Sequence, residues 1–292
     1  MANWITKKLK GYAKRREHAA LLKKKLSHVQ SAGRDSGEDQ RVVFVSGVQR
    51  SGTNMLMSIL EQNLDTDVYH ESDRRAFDNY IMRDESIVRG LMSASPFPDF
   101  VIKALHEGDR LRGLMDDFGP AKSIWLFRRH GDVVNSNLVL WPGGRNFIEK
   151  IVEDRLSAKW RGKGMTDQTH AMVREHHHAD LSDASAIGIF WVYRNQLYFD
   201  QGLDKSEDSL LMSYEWLVMN PEEGVRAICK FLGLTPSASM WGLMSSSSIG
   251  KDKSPDIEEP VSRLCVDMHE RLVTAWEAKM STLGVDVSGW RC

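Results

Sequence analysis

One stretch limits the architecture more than any other. The apolar run Val42-Val43-Phe44-Val45 is followed by Ser46-Gly47-Val48-Gln49-Arg50-Ser51-Gly52-Thr53-Asn54, and Met55, Leu56, Ile59 and Leu60 then recur at helical spacing. A short continuous apolar run bounded by glycine predicts a strand covered on both faces, and the following pattern predicts a helix. Phe100–Ile102, Ile124–Phe127 and Leu210–Met212 read as further buried strands. Val225, Ile228, Cys229 and Leu232 mark a helix ending near Gly233, and Ile257, Val261, Leu264, Met268, Leu272 and Trp276 mark a long C-terminal helix. Strands alternating with helices imply a parallel sheet with right-handed crossovers, so the fold class is α/β, a parallel sheet flanked by helices.

The 292 residues suffice for one large domain, and 41% hydrophobic with 27% charged residues is an ordinary globular composition. Residues 1–40 are set apart by ten Lys or Arg against Glu17, Asp35, Glu38 and Asp39, which leaves this arm at +6 and the rest at −7. The expected division is a basic helical arm and linker over 1–40 and a catalytic domain over 41–292. Trp4, Ile5, Leu9, Tyr12, Leu22 and Leu26 fall among the lysines at loosely helical intervals. Residues 1–30 thus read either as a solvated basic helix or as one lying on an anionic membrane surface. The overall charge of −1 disfavours nucleic acid as a partner. Cys229, Cys265 and Cys292 form no disulfide framework, so the expected compartment is reducing and the location cytoplasmic, peripheral to a membrane if the arm binds one.

The glycine-containing loop between the first strand and helix is an expected anion cradle, where backbone N–H groups and a helix N-terminus face a phosphate. It is P-loop-like: Gly47 and Gly52 have the spacing of an ATP-binding P-loop. Thr53 stands where that loop carries lysine and Asn54 where it carries the Mg²⁺-binding hydroxyl, which disfavours a Mg-ATP enzyme.

Arg50-Ser51-Gly52-Thr53 after a strand resembles the 5′-phosphosulfate loop of sulfotransferases, in particular the tyrosylprotein and related bacterial branches. These enzymes use 3′-phosphoadenosine-5′-phosphosulfate (PAPS). A second motif agrees: in Leu126-Phe127-Arg128-Arg129-His130-Gly131-Asp132-Val133-Val134-Asn135-Ser136, an arginine closes a strand and a serine follows eight positions later, the spacing of the family's 3′-phosphate motif. A guanidinium at a strand end forks onto phosphate oxygens and the hydroxyl adds a donor. Arg129 and Gly131 depart from the commoner residues, and Leu140 stands where the tyrosylprotein branch has another arginine. Tyr214-Glu215-Trp216-Leu217 resembles the segment whose tyrosine lies by the adenine, and Ser245–Lys251 the loop that closes over the nucleotide. The resemblance thus implies donor contacts from Arg50, Ser51, Gly52, Thr53, Asn54, Arg128, Ser136, Tyr214, Ser247 and Lys251, with no metal.

The same resemblance nominates the catalytic groups. Glu71 lies 21 residues beyond Arg50, the offset of the acid that takes the acceptor proton in the tyrosylprotein branch. The cytosolic branch uses a histidine from Lys-x-His; here Lys103-Ala104-Leu105-His106 is one residue longer, which makes His106 the second candidate. Lys103 matches the lysine after this strand and would neutralise the bridging oxygen, while Arg50 stabilises the sulfuryl oxygens. His170 with His176, His177 and His178 invites a metal reading, but no cysteine is near and consecutive imidazoles diverge, so a solvated segment is expected. The expected reaction is sulfuryl transfer to an acceptor hydroxyl on a carbohydrate, lipid, phenol or peptide. The alternatives are a nucleotide-dependent kinase and an inactive nucleotide-binding protein held at membranes by its arm.

Overall fold

A computed structural model describes residues 2–33, 40–140, 143–242, 244, 250 and 254–290, with residues 2–15 described by their backbone. Among the described residues, five strands form one sheet: β1 (Arg41–Gly47), β2 (Thr66–Tyr69), β5 (Asp99–Lys103), β6 (Ala121–Phe127) and β7 (Ser209–Ser213). Their order is β2-β5-β1-β6-β7 and each neighbouring pair is parallel. A small antiparallel hairpin, β3 (Phe77–Asp78) and β4 (Ile81–Met82), stands apart from it. The fold is a single α/β domain.

The helices are α1 (Ala2–Ser31), α2 (Thr53–Glu61), α3 (Glu85–Ala94), α4 (Leu111–Phe118), α5 (His130–Leu140) and α6 (Gly144–Glu153). They continue as α7 (Asp167–Glu175), α8 (Asp183–Asp200), α9 (Tyr214–Met219), α10 (Pro221–Leu232), α11 (Ala238–Trp241) and α12 (Glu259–Thr282). Local sequence explains their ends. The Ser182 and Thr166 hydroxyls cap α8 and α7 by accepting the Ser185 and Thr169 N–H groups. Pro221 opens α10 and Gly233, at φ 69°, closes it. Helix α12 begins at Glu259, two residues after Ile257, and buries Val261, Cys265, Met268, Leu272, Trp276 and Met280 along one stripe.

The strands supply the continuous core that their apolar runs predict: Val42 to Val45, Phe100 to Ile102, Ile124 to Phe127 and Leu210 to Met212 are all buried. The sheet register places Val45 beside Lys103, Gly47 beside Leu126 and Phe127 beside Ser213. The carboxyl ends of β1, β5, β6 and β7 thus share one rim, where open α/β sheets bind ligands.

The basic arm is helical over Ala2–Ser31, and the second half of that helix packs onto the domain. Lys25 is buried, and its ammonium donates to the Glu61 carbonyl at 3.0 Å and Thr66 Oγ1 at 3.3 Å. Val29 is buried beside it and His28 lies 3.2 Å from Asp65. Leu22 and Leu26 are exposed, whereas the side chains of Trp4, Ile5, Leu9 and Tyr12 lie outside the described residues. No helix among the described residues is long and apolar enough to cross a membrane.

Candidate active site

The loop from β1 to α2 is built on two glycines. A Cβ on Gly47, at φ 146°, would lie 2.3 Å from the Leu126 carbonyl oxygen, so β1 and β6 approach closely only because that atom is missing. Gly52, at φ 93°, ends the loop as the residue before α2, and a Cβ there would lie 2.3 Å from the Tyr214 ring. Arg50, between them, has φ 73°, a left-handed conformation that costs a non-glycine residue about 1–3 kcal/mol. Such strain persists where the surrounding structure holds the residue for a task. The loop then turns into the first N–H groups of α2, which have no intrahelical acceptor. Ser51 and Gln49 are buried, and the serine hydroxyl and both amide atoms of the glutamine lack a hydrogen-bond partner among the described residues. The loop is therefore a cradle with polar groups to spare for an anion.

Arg50 and Ser136, 86 residues apart, meet directly: Arg50 Nε donates to Ser136 Oγ at 2.9 Å. Arg128, 8% exposed, donates from Nη1 to the Arg50 carbonyl at 3.3 Å and pairs with Asp132 at 3.3 Å. Its guanidinium lies 4.6 Å from the centroid of the Tyr214 ring, so Tyr214 is held between Arg128 and the Gly52 backbone. Tyr214 is the first residue of α9, whose preceding Ser213 accepts the Trp216 N–H. Glu215, buried beneath, accepts the Arg129 N–H at 3.0 Å, which fixes the turn out of β6. Burial and the nearby Arg128 depress the Arg50 pKa, and Glu71 opposes them. A guanidinium so disfavoured as a cation gains from an anionic ligand.

The second cluster sits on β5. Lys103 is 1% exposed, and its ammonium lies 2.8 Å from Asn54 Oδ1 and 2.8 Å from Glu71 Oε1. Burial lowers the lysine pKa while the Glu71 carboxylate raises it, so the pair keeps a cation where desolvation disfavours one. His106 stands beside this cluster, with its ring stacked on Trp160 at 4.3 Å and Nδ1 buried without a hydrogen-bond partner among the described residues. Burial, with Arg194, Arg161 and Lys103, pushes its pKa down to about 4 against the pull of Glu71, which leaves the ring neutral near pH 7.

Arg50, Asn54, Glu71, Lys103, Arg128, Ser136 and Tyr214 thus converge in two linked groups. Ser51, Gly52 and Thr53 line the cradle between them, with Thr53 buried in the first turn of α2. Ser247 and Lys251 lie outside the described residues. Leu140 is an exposed residue at the end of α5. Among the described residues, no group of three His, Cys, Asp or Glu is placed to hold a metal. His170 bonds the Ile151 carbonyl, His176 the Met172 carbonyl and His178 the Glu258 carboxylate, and the last two histidines lie past the end of α7. Glu107 and the wholly buried Arg194 lie next to His106 and Trp160 without any sequence motif to mark them, since an acid after a histidine and an arginine within a helix carry none.

Comparisons with known proteins follow the same lines. No curated protein sequence matches this chain. The sulfotransferase domain of the Synechococcus PCC 7002 olefin synthase is 14% identical, over 82% of this chain and 98% of that one, with a TM-score of 0.46. A sulfotransferase from Alicyclobacillus acidocaldarius is 17% identical, over 86% and 98%, with a TM-score of 0.45. A mouse sulfotransferase complexed with PAP is 15% identical, over 84% and 86%, with a TM-score of 0.39. The sulfotransferase domain family matches residues 40–254, from the strand that carries the Arg50 loop past the Tyr214 turn, which removes the kinase alternative. With that match extending over well more than half of its length, the chain belongs to the sulfotransferase domain family and is a transferase of sulfuryl groups.

Proposed function

We propose that the chain transfers a sulfuryl group from PAPS to an acceptor hydroxyl without a metal, with residues 41–292 as the catalytic domain. The observation that carries this reading is the Arg50–Ser136 hydrogen bond, because it joins the loop expected to hold the 5′-phosphosulfate to the helix expected to hold the 3′-phosphate. The residues fit such a donor: a glycine cradle with a Ser51 hydroxyl that has no partner among the described residues, a strained Arg50, and Arg128 on the Tyr214 ring.

In this reading Arg128 and Ser136 hold the 3′-phosphate, while the loop from Arg50 to Asn54 receives the 5′ end. Tyr214 packs by the adenine, and the resemblance assigns further nucleotide contacts to Ser247 and Lys251. Glu71 takes the proton of the acceptor hydroxyl as its oxygen bonds to sulfur. Lys103 neutralises the bridging oxygen as the sulfur–oxygen bond to the 5′-phosphate breaks, and Arg50 stabilises the sulfuryl oxygens. The transition state of such a transfer is loose by analogy with phosphoryl transfer, so positioning and cationic stabilisation supply most of the catalysis.

The test is titration of the full chain with adenosine 3′,5′-bisphosphate (PAP) in chelator, followed by transfer of radiolabelled sulfate from PAPS. Binding and transfer in chelator support the reading. Binding without transfer to any hydroxyl would make the chain an inactive nucleotide-binding protein, and failure to bind PAP refutes the donor.

A further inference from the structure

Beside the Lys103 cluster lies a cleft of about 250 Å³ that the mechanism above leaves unused. His106, Glu107, Asp109, Lys159, Trp160 and Lys163 line it. It is a built site. Glu107 is 6% exposed; its Oε1 accepts the Met82 N–H at 2.8 Å, which ties the β3–β4 hairpin to the cleft, while its Oε2 has no partner among the described residues. His106 Nδ1 is a second buried atom without one. From below, Arg194, with no exposed surface, donates to the Leu105 carbonyl at 3.2 Å and the Trp160 carbonyl at 3.4 Å. One buried guanidinium thus staples both walls in place.

The cleft carries charges of both signs, Glu107 and Asp109 against Arg110, Lys159 and Lys163, so its lining selects neither an anion nor a cation by charge. What the described residues leave open is a partner for Glu107 Oε2 and His106 Nδ1, and a hydroxyl alone among simple neutral groups both donates and accepts through one atom. It therefore satisfies Glu107 Oε2 whether that carboxyl is ionised or, as its burial favours, protonated. The volume lies below the roughly 300–1,000 Å³ of pockets for drug-sized ligands, so the occupant is one small unit.

Resting on the sulfuryl-transfer reading, we propose that this cleft seats the part of the acceptor next to its reacting hydroxyl, with Glu107 and His106 hydrogen-bonding a second, neutral hydroxyl. The acceptor is accordingly a sugar or polyol, and a simple phenol is disfavoured. A phenol would leave both buried atoms unpaired. Sites built to bond a substrate hydroxyl reject analogues lacking it by roughly 10⁴–10⁵.

The experiment offers the full chain radiolabelled PAPS with methyl β-D-glucoside, cellobiose, myo-inositol and glycerol on one side, and 4-nitrophenol and 2-naphthol on the other. Sulfate is expected on at least one member of the first set, with kcat/KM above that of either phenol. On that acceptor, Glu107→Met should raise KM about tenfold or more with little change in kcat, and Glu107→Gln, which keeps a polar group at Oε2, should recover most of the loss. PAP affinity should stay at the wild-type value in both variants, which shows that they are folded. Should the methionine variant not fold, the wild-type panel decides alone. Turnover of the phenols only, PAP binding with no acceptor used, or an unchanged KM in a folded Glu107→Met overturns the subsite while leaving the donor reading standing. A wild-type chain that does not bind PAP overturns both.

Discussion

Lys103 and Glu71 form an ion pair at 2.8 Å in which the lysine is 1% exposed and the glutamate 20% exposed. The asymmetry matters. A buried ammonium needs its counter-charge, and a carboxylate that reaches solvent remains free to meet an acceptor. The same lysine bonds Asn54 in the first turn of α2, so the acid from the segment after β2, the cation from β5 and the glycine loop before α2 are coupled through one nitrogen.

Glu71→Gln therefore separates chemistry from binding. If Glu71 is the base, as the proposed reading has it, the amide keeps the shape and loses the proton acceptor, so turnover should fall by about 10²–10⁴ while PAP affinity remains, measured by sulfate transfer and by calorimetry. His106→Ala should lose much less. If His106 were the base, the order would reverse, with an activity profile rising through the pH range near 4, since burial holds that ring well below the usual histidine value. Full turnover in Glu71→Gln would sink the assignment.

Gly52→Ala tests the cradle. The new methyl would sit 2.3 Å from the Tyr214 ring on a backbone at φ 93°, so both clash and conformational strain oppose it. Loss of about 1–3 kcal/mol in denaturant unfolding is expected, together with weaker PAP binding. Combining it with Tyr214→Ala relieves the clash and leaves the strain. The double variant should thus be more stable than the two single losses summed. Strict additivity would mean that the ring and the glycine do not press on one another.

The parts of this architecture readable in the sequence were those in which one local signal suffices. The apolar runs of β1, β5, β6 and β7 are buried on both faces, so they stand out as continuous blocks. Gly47 and Gly52 mark the loop because no other residue fits. Helix α8 is different: Ala184 through Asn195 are buried all round, with Arg194 and Asn195 among them, so no polar face breaks its pattern into a period. Its role as the helix under the cleft depends on Arg194 reaching Leu105 and Trp160, residues 89 and 34 positions away. Docking of α1 was hidden for a related reason, since Lys25 reads as one more solvated lysine until Glu61 and Thr66 are brought to it.

Arg128→Ala tests the 3′-phosphate. The side chain sits on Tyr214 and beside Asp132; in the proposed reading Tyr214 packs by the adenine that PAP and AMP share, whereas the guanidinium meets the 3′-phosphate that AMP lacks. Charged hydrogen bonds contribute about 1.5–3 kcal/mol each, so the variant should lose PAP affinity by about tenfold or more while AMP affinity changes little. Equal losses for the two nucleotides would place the 3′-phosphate elsewhere. Arg50→Ala should differ from this, because in the proposed reading its guanidinium stabilises the sulfuryl oxygens besides bonding Ser136, and both turnover and PAP binding should suffer.

Acid stability should be set in part by histidines away from the chemistry. His269 on α12 lies 6.4 Å from the Trp191 ring and 6.1 Å from Phe127, and His130 at the start of α5 lies 5.6 Å from Trp191, centroid to centroid. Burial, then the charges of His130 and Arg129, push the His269 pKa down to about 4. An unfolded chain takes up that proton near pH 6.5, so between about 6.5 and 4 it binds more protons than the folded one, and stability falls as pH is lowered through that window. Above it the contribution is fully present. At about 1.4 kcal/mol per pKa unit, the loss from this residue is of order 3 kcal/mol by pH 4. His106, also at about 4, adds in the same sense. The carboxylates held low by their partners, such as Glu61 beside His70 and Asp73 beside Arg75, start to lose their contribution only as pH falls through the ordinary carboxylate values of 4.5 and 3.8, at the lower edge of this window, and they do so equally in a histidine variant. His269→Phe keeps an aromatic ring against Trp191 and removes the titration. In urea unfolding at pH 7, 5.5 and 4.5, its stability should decline less steeply than that of the wild-type chain, and parallel declines would show that His269 does not govern the acid limb.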